Sequence, residues 1–330
     1  MTWINKRFGA CLQCTQAGTR GDHVVLTTQF TSLAAVEVWD SRFRWRNGGT
    51  LLDTTVDVTW QRVAEAIASV EGPMAPLWMR RFISVFSRWE LLPDERLLAL
   101  AGTHRPPEEL TGLAAVLNLA AFIRPQSVGA ARLDCERMVA TAGLAVRLLD
   151  NALLRYGACA DQSLRIGFIG MAEALRRLGT PFGTERARQF AVVAASLLAE
   201  GCLRGNVDLA RERGQQMGLE PLDQRIALWR NRAIPESLAL EAARGGVRHS
   251  RITALDHHPE LARFANDVTD AIDPLAIDVQ RGHDVLGNDI QVARAKMGIA
   301  IQPYFDVEIQ DALPSLESTS SLQAVDRKGW

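Results

Sequence analysis

The densest group of ionisable side chains in the sequence is Asp256-His257-His258-Pro259-Glu260. Imidazole changes charge near neutral pH and also ligates metals, so this group could supply acid and base or hold a cation. Two consecutive residues of an extended chain point to opposite faces, which sets His257 and His258 against sharing one site. A polar turn that caps a helix beginning at Pro259 explains the same residues without chemistry. Cys11-x-x-Cys14 offers two thiols, with His23 the nearest further ligand. A structural zinc site normally needs a second ligand pair at similar spacing, and no later Cys-x-x-Cys or His-x-x-x-His exists. No metal site is therefore expected there. Arg165-Ile-Gly-Phe-Ile-Gly170 imitates part of a dinucleotide fingerprint. It has only Gly-x-x-Gly spacing, and a long helix and a linker precede it where a strand is required. Glycines that permit a tight turn before a packed helix are the expected role.

The elements that would position these groups are mostly helical. Trp60, Val63, Ala64, Ile67 and Val70 recur at helical spacing behind Asp57 as a cap, and Gly72-Pro73 ends the run. Further helices are predicted over 77–89, from Asp94 to Gly102, and over 133–154, where Met138, Ala142, Ala145, Leu149 and Leu153 share a face. Another runs from a Thr184 cap to Arg213 with Gly214 as terminator. Shorter helices are predicted over 224–232, 235–243, 259–271 and 290–297. Brief strands are expected at Val24–Leu26, Val36–Trp39 and His249–Leu255. Residues 1–23 read as a loose arm and 314–330 as a polar tail. Between them lie a helical region, 24–103, and a second region, 104–313.

Composition narrows the function classes. The 330 residues are 47% hydrophobic and 23% charged, which suits a folded globular chain. A formal net charge of −1 lacks the clustered positive charge of a nucleic-acid binder. No continuous apolar run approaches the ~20 residues of a membrane span, and the first twenty residues lack a signal-like apolar stretch. No membrane association is expected, and the cytoplasm is the expected compartment. Five cysteines, an odd number, argue against a disulfide framework. The eight tryptophans are scattered, which fits core positions better than a stacking platform.

Several segments in order resemble the catalytic large chain of ribonucleotide reductases, above all the adenosylcobalamin-dependent class. Glu90-Leu-Leu-Pro93 and Leu98-Ala-Leu-Ala-Gly-Thr103 resemble an early helix and its Ala-Gly-Thr element. Asn118-Leu-Ala-Ala-Phe-Ile123 is similar to the family's Asn-Leu-Ala-Arg-Phe segment, and Leu144-Ala-Val-Arg-Leu-Leu-Asp-Asn151 to its Ala-Val-Arg-Phe-Leu-Asp-Asn helix. Arg165-Ile-Gly167 with Met171-Ala-Glu-Ala-Leu175, Leu209-Ala-Arg-Glu-Arg-Gly214 and Ile272-Asp-Pro274 continue the series. The resemblance spans roughly residues 39–305. It implies a mainly α fold with a few strands, a remnant of the family's α/β barrel beside its N-terminal helical region, and an ancestry in nucleotide metabolism and DNA precursor synthesis.

The departures from that pattern are as informative. Family members carry much of the barrel between the Ala-Gly-Thr and Asn-Leu-Ala elements, including the first redox cysteine, the effector region and the finger loop with its radical cysteine. Here only His104 to Leu117 separates the two elements. No cysteine lies between Cys14 and Cys135, and neither Glu108 nor Glu109 replaces a thiol. The family's phosphate-binding turn follows a strand that Arg248–Leu255 resembles, yet the turn itself is Asp256–Glu260, with carboxylates and a proline in place of free N–H donors. No cysteine follows Cys202 to recycle a disulfide. The expectation is a noncatalytic, shortened relative with a structural, regulatory or partner-binding role. It would need no cofactor, although the family would imply adenosylcobalamin, and a nucleotide is not an expected ligand. Loss of barrel strands leaves edges and apolar faces, so a homo-oligomer or protein partner is expected. The alternative is a ribonucleoside-diphosphate reductase-related enzyme completed by another chain or repurposed, with Asp256, His257, His258 and Glu260 as its acid/base or metal residues.

Overall fold

The computed structural model describes residues 28–107, 110, 112–126, 130–157, 163–215 and 222–309. The arm, the polar tail, Val24–Leu26, Cys11, Cys14, His23, Glu108 and Glu109 lie outside them. In chain order the helices are α1 (Leu33–Val38), α2 (Val56–Ala68), α3 (Ala75–Ser87), α4 (Glu95–Leu100), α5 (Cys135–Tyr156), α6 (Met171–Arg177), α7 (Glu185–Arg213), α8 (Leu222–Asn231), α9 (Glu236–Gly245), α10 (Pro259–Phe264), α11 (Ala276–Arg281) and α12 (Ile290–Ile301). The strands are β1 (Arg46–Asn47), β2 (Thr50–Leu51), β3 (Leu91–Pro93), β4 (Ala114–Asn118), β5 (Ile123–Arg124), β6 (Arg132–Leu133) and β7 (Arg165–Ile169). The fold is mainly α. Among the described residues the strands make one three-stranded sheet, ordered β3-β4-β7, and two two-stranded ribbons; they do not close into a barrel.

The centre of the molecule is the pair α5 and α7, which pack side by side in the same direction, Val139 and Gly143 of α5 standing against Gly201 and Gly205 of α7. Small residues let their backbones approach: a Cβ on Gly205 would stand 2.5 Å from the Gly143 carbonyl oxygen. Helix α7 is long and apolar enough to cross a bilayer, but 61% of its apolar window is buried inside the protein. That is the pattern of a core helix. Its Thr184 hydroxyl accepts the Ala187 N–H, and Gly214 terminates it at φ +88°, both as the sequence predicts. In the N-terminal region Trp60, Phe86, Trp89 and Phe264 form an aromatic cluster with Trp60 centroids 5.3 Å from both Phe86 and Phe264. The buried tryptophans 39, 60 and 89 are core residues, as their scatter implied.

Several sequence expectations change. Val36–Trp39 is helical, not extended, because α1 and the π-helical turn Trp39–Phe43 bury Val38, Trp39 and Phe43 on one side. Tertiary burial overrides the β-branched propensity there. Asp57 does not cap α2; Thr55 does, while Asp57 accepts the backbone N–H of Thr28 at 3.0 Å. The helix from Pro259 stops at Phe264 rather than 271, since Asn266 and Asp267 both adopt positive φ.

Candidate functional site

In α/β architectures, ligands lie beyond the carboxyl ends of parallel strands. Here β4 and β7 run parallel, and the segment after Arg251 extends that arrangement. Ile166 donates its N–H to the Ile252 oxygen at 2.8 Å and accepts that of Ala254 at 3.1 Å. The close approach needs Gly167, where a Cβ would stand 2.5 Å from the Ala254 oxygen. A strand therefore does precede Gly170, contrary to the sequence expectation, and Gly170 turns the chain into α6 at φ +75°. The same ends carry Asn118, whose side chain accepts the Ala120 N–H, and the Asp256–Glu260 turn. The residues just before Asn118 are the wholly buried strand β4, so no loop tip lies there.

The structure scatters the sequence cluster. Asp256 is engaged by the Arg165 guanidinium through both Nε and Nη2. His257 is exposed, with Nδ1 3.1 Å from Asp270 Oδ2. His258 is half-buried, and burial holds its imidazole below the ordinary histidine range despite Asp256, Asp270 and Asp94 nearby. Glu260 faces Arg42 at 3.8 Å. Its charge, after burial and Asp94, adds to the influences that raise the Glu95 carboxyl. These side chains take different partners and do not converge on one reacting centre.

A segment that the sequence reading placed in the helix from Pro259 and in the Ile272-Asp-Pro274 motif connects them as a loop. The loop 266–273 folds across two helix beginnings, where free N–H groups ordinarily attract anions. Asp270 accepts the His258 N–H with both oxygens, at 2.9 and 3.0 Å, at the start of α10. At α6 the Thr269 carbonyl takes the Gly170 N–H at 2.7 Å, and the Thr269 hydroxyl accepts that of Ala172 at 3.3 Å. Glu173 returns the contact by accepting the Thr269 N–H and hydroxyl. Asp273 lies beside this loop and accepts from Arg294 Nε at 2.9 Å. The Asp-x-x-Asp spacing of Asp270 and Asp273 was the available signal, but their partner His257 is thirteen residues from Asp270 and not periodic with it.

A second ionic assembly was also missed. Asp150, from the Leu-Asp-Asn motif, is almost wholly buried. It meets His249 Nε2 at 2.9 Å, Arg248 Nε at 3.1 Å and Arg213. Burial alone would raise its carboxyl, but those three partners outweigh it and hold the group far below the usual range. Arg213 also reaches Glu71 at 2.7 Å, and Glu71 meets Arg147 at 3.0 Å. This assembly joins four segments and opens on no strand end; its role is cohesion. Of the described thiols, Cys202 is buried, and that burial pushes its pKa up, while Cys135 is exposed at the start of α5. Neither is near Asn118's strand end in sequence or takes a finger-loop position. A groove of about 1140 Å³ lies between α3, α5 and α7, bordered by Trp78, Leu144, Arg147, Leu197 and Arg204.

No protein-family model matches the chain. Among curated proteins it is similar to the ribonucleoside-diphosphate reductase subunit alpha of Chlamydia trachomatis serovar D, at 25% identity over 48% of this chain. The chain spans about 18% of that relative's length. The similarity to a reductase large chain is thus distant and covers a minor part of the relative.

Proposed function

We propose that this chain is a ribonucleotide-reductase-like protein that performs no ribonucleotide reduction and serves a structural, regulatory or partner-binding role. Within that family its motifs are closest to the adenosylcobalamin-dependent class. The observation that carries the reading is the 266–273 loop: Asp270 sets its carboxylate on the His258 N–H, inside the turn where the resemblance places a substrate phosphate. A carboxylate in that position also repels a phosphate. Adenosylcobalamin, which the family implies, supplies radical initiation through a protein thiol. The described residues do not fit that chemistry: buried β4 precedes Asn118 with no thiol in it, Cys202 is buried in α7 and Cys135 begins α5.

The partner in this reading binds side chains, not a strand. Val285 and Leu286 are 72% and 65% exposed, and Ile277, Val279, Val292 and Ile299 on α11 and α12 are exposed as well. The proposed compartment is the cytoplasm, where nucleotide metabolism supplies the ancestry. The test is a reduction assay on the purified full chain with ribonucleoside di- and triphosphates, adenosylcobalamin and a dithiol, run beside light scattering. The expected result is no deoxynucleotide and an assembly larger than one chain, which Leu286→Asp breaks. Deoxynucleotide formation by the chain, alone or with an added second chain, would overturn the noncatalytic reading in favour of a completed enzyme. A clean monomer would overturn self-assembly.

A further inference from the structure

We propose that His257, Asp270 and Asp273 bind one divalent transition-metal ion. One nitrogen and two carboxylate oxygens, all within 4.8 Å of one another, come from two turns that the fold brings together. A tetrahedral ion with bonds of about 2.1 Å spaces its ligands about 3.4 Å apart, so rotations of His257 and Asp273, the two more exposed members, would close the set around Asp270. The mixture of imidazole and carboxylate suits Zn²⁺ or its neighbours better than Mg²⁺ or Ca²⁺, which prefer oxygen alone. Three protein ligands leave one position for water.

The surroundings are those of a held site. Each carboxylate is oriented by a donor outside the set: the His258 N–H on Asp270, and Arg294 Nε on Asp273 Oδ1. Such outer contacts fix ligand direction in metal sites. Asp270 is nine-tenths buried, whereas the His257 ring is open to solvent and gives an ion its path in. Two carboxylates against one guanidinium leave a single negative charge facing the imidazole, which a divalent cation reverses to +1 rather than accumulating. His257 Nδ1 and Asp270 Oδ2 stand 3.1 Å apart, within hydrogen-bonding distance. An ion bound between them would take the Nδ1 lone pair, with the imidazole carrying its hydrogen on Nε2. The ion would clip the 256–258 turn to the 270–273 turn. The site needs neither nucleotide nor radical, so it stands independently of the function proposed above.

The experiment is a titration of the metal-free full chain with Co²⁺, followed by visible absorption and calorimetry, and repeated with Zn²⁺. One equivalent is expected, with weak ligand-field bands and no thiolate-to-cobalt charge-transfer band. His257→Ala should weaken binding at least tenfold, and Asp273→Asn, at a half-exposed position, should do the same without loss of fold by circular dichroism. Asp273→Asn also keeps an oxygen for Arg294, so it tests the ligand and not the ion pair. Absence of binding, a thiolate band that Cys11→Ser and Cys14→Ser remove, or affinity unchanged in both site variants would overturn the proposal.

Discussion

Replacing Asp150 with Asn removes one negative charge from the centre of a buried ionic assembly and leaves its shape. His249, Arg213 and Arg248 then surround a neutral amide. Deleting one partner of a buried pair generally costs about 3–5 kcal/mol, because the remaining charge keeps its desolvation cost. The lower end applies here. Arg213 retains Glu71 at 2.7 Å, and Arg248 retains the Arg213 carbonyl at 3.2 Å. The expected loss is about 3 kcal/mol at pH 7, read as a lower urea midpoint. The pH dependence has a fixed sign: the native carboxyl titrates below its ordinary 3.8, so its contribution is complete above that value and disappears as pH falls through the native pKa. Wild type should therefore lose its advantage over Asp150→Asn only in acid, below about pH 4. Adding Arg248→Met to Asp150→Asn should cost less than the sum of the two single changes, since it removes a stranded cation. A difference under about 1 kcal/mol at pH 7, well short of the cost of a broken buried pair, would refute the assignment of Asp150 as the hub's charge centre.

His258 should supply a pH response of its own. It is held neutral by burial, so the unfolded chain binds the extra proton below its ordinary 6.5. Stability should fall as pH drops from 7 toward 5 in wild type and less steeply in His258→Gln, measured by urea midpoints at each pH. Gly205→Ala should lower stability by about 1–3 kcal/mol through overpacking, because the new methyl meets the Gly143 backbone at 2.5 Å. Gly143→Ala, whose methyl would meet the Gly201 oxygen at 3.2 Å, should cost less; thermal melts rank the pair.

The helices were legible because their causes are local. Thr184, Gly214, Asp94 and the apolar stripe of α5 each act within a turn or two of their own position, and each does what its spacing predicts. Val36–Trp39 was not legible, because its surroundings come from far along the chain: Trp39 Nε1 donates to Thr59, and α1 packs on α10. The same distinction governs the site. Asp256, His257 and His258 stand out by adjacency, yet adjacency assigned them partners that they do not take. Asp256 is 91 residues from Arg165, and Asp150 is 99 residues from His249. Asp270 fell at the end of the helix expected over 259–271, and only the fold sets it over the first turn of α10.

A shortened sheet still has to end somewhere, and the way it ends bears on the proposed partner. Unpaired strand edges attract other chains. At the outer edge, beyond β7, Asp306 Oδ2 accepts the N–H groups of Ile252 and Thr253 at 2.8 and 3.0 Å. The Asp306 N–H in turn reaches the Thr253 oxygen at 2.9 Å, and Arg232 holds the Asp306 carboxylate at 2.7 Å. One side chain thus imitates a neighbouring strand and closes that edge from within. A partner gains no open edge here, which leaves the exposed apolar side chains of α11, α12 and the turn between them. Asp306→Ala separates the two routes. It should reopen the edge and add a strand-mediated association, while the proposed association through Leu286 persists unchanged in light scattering.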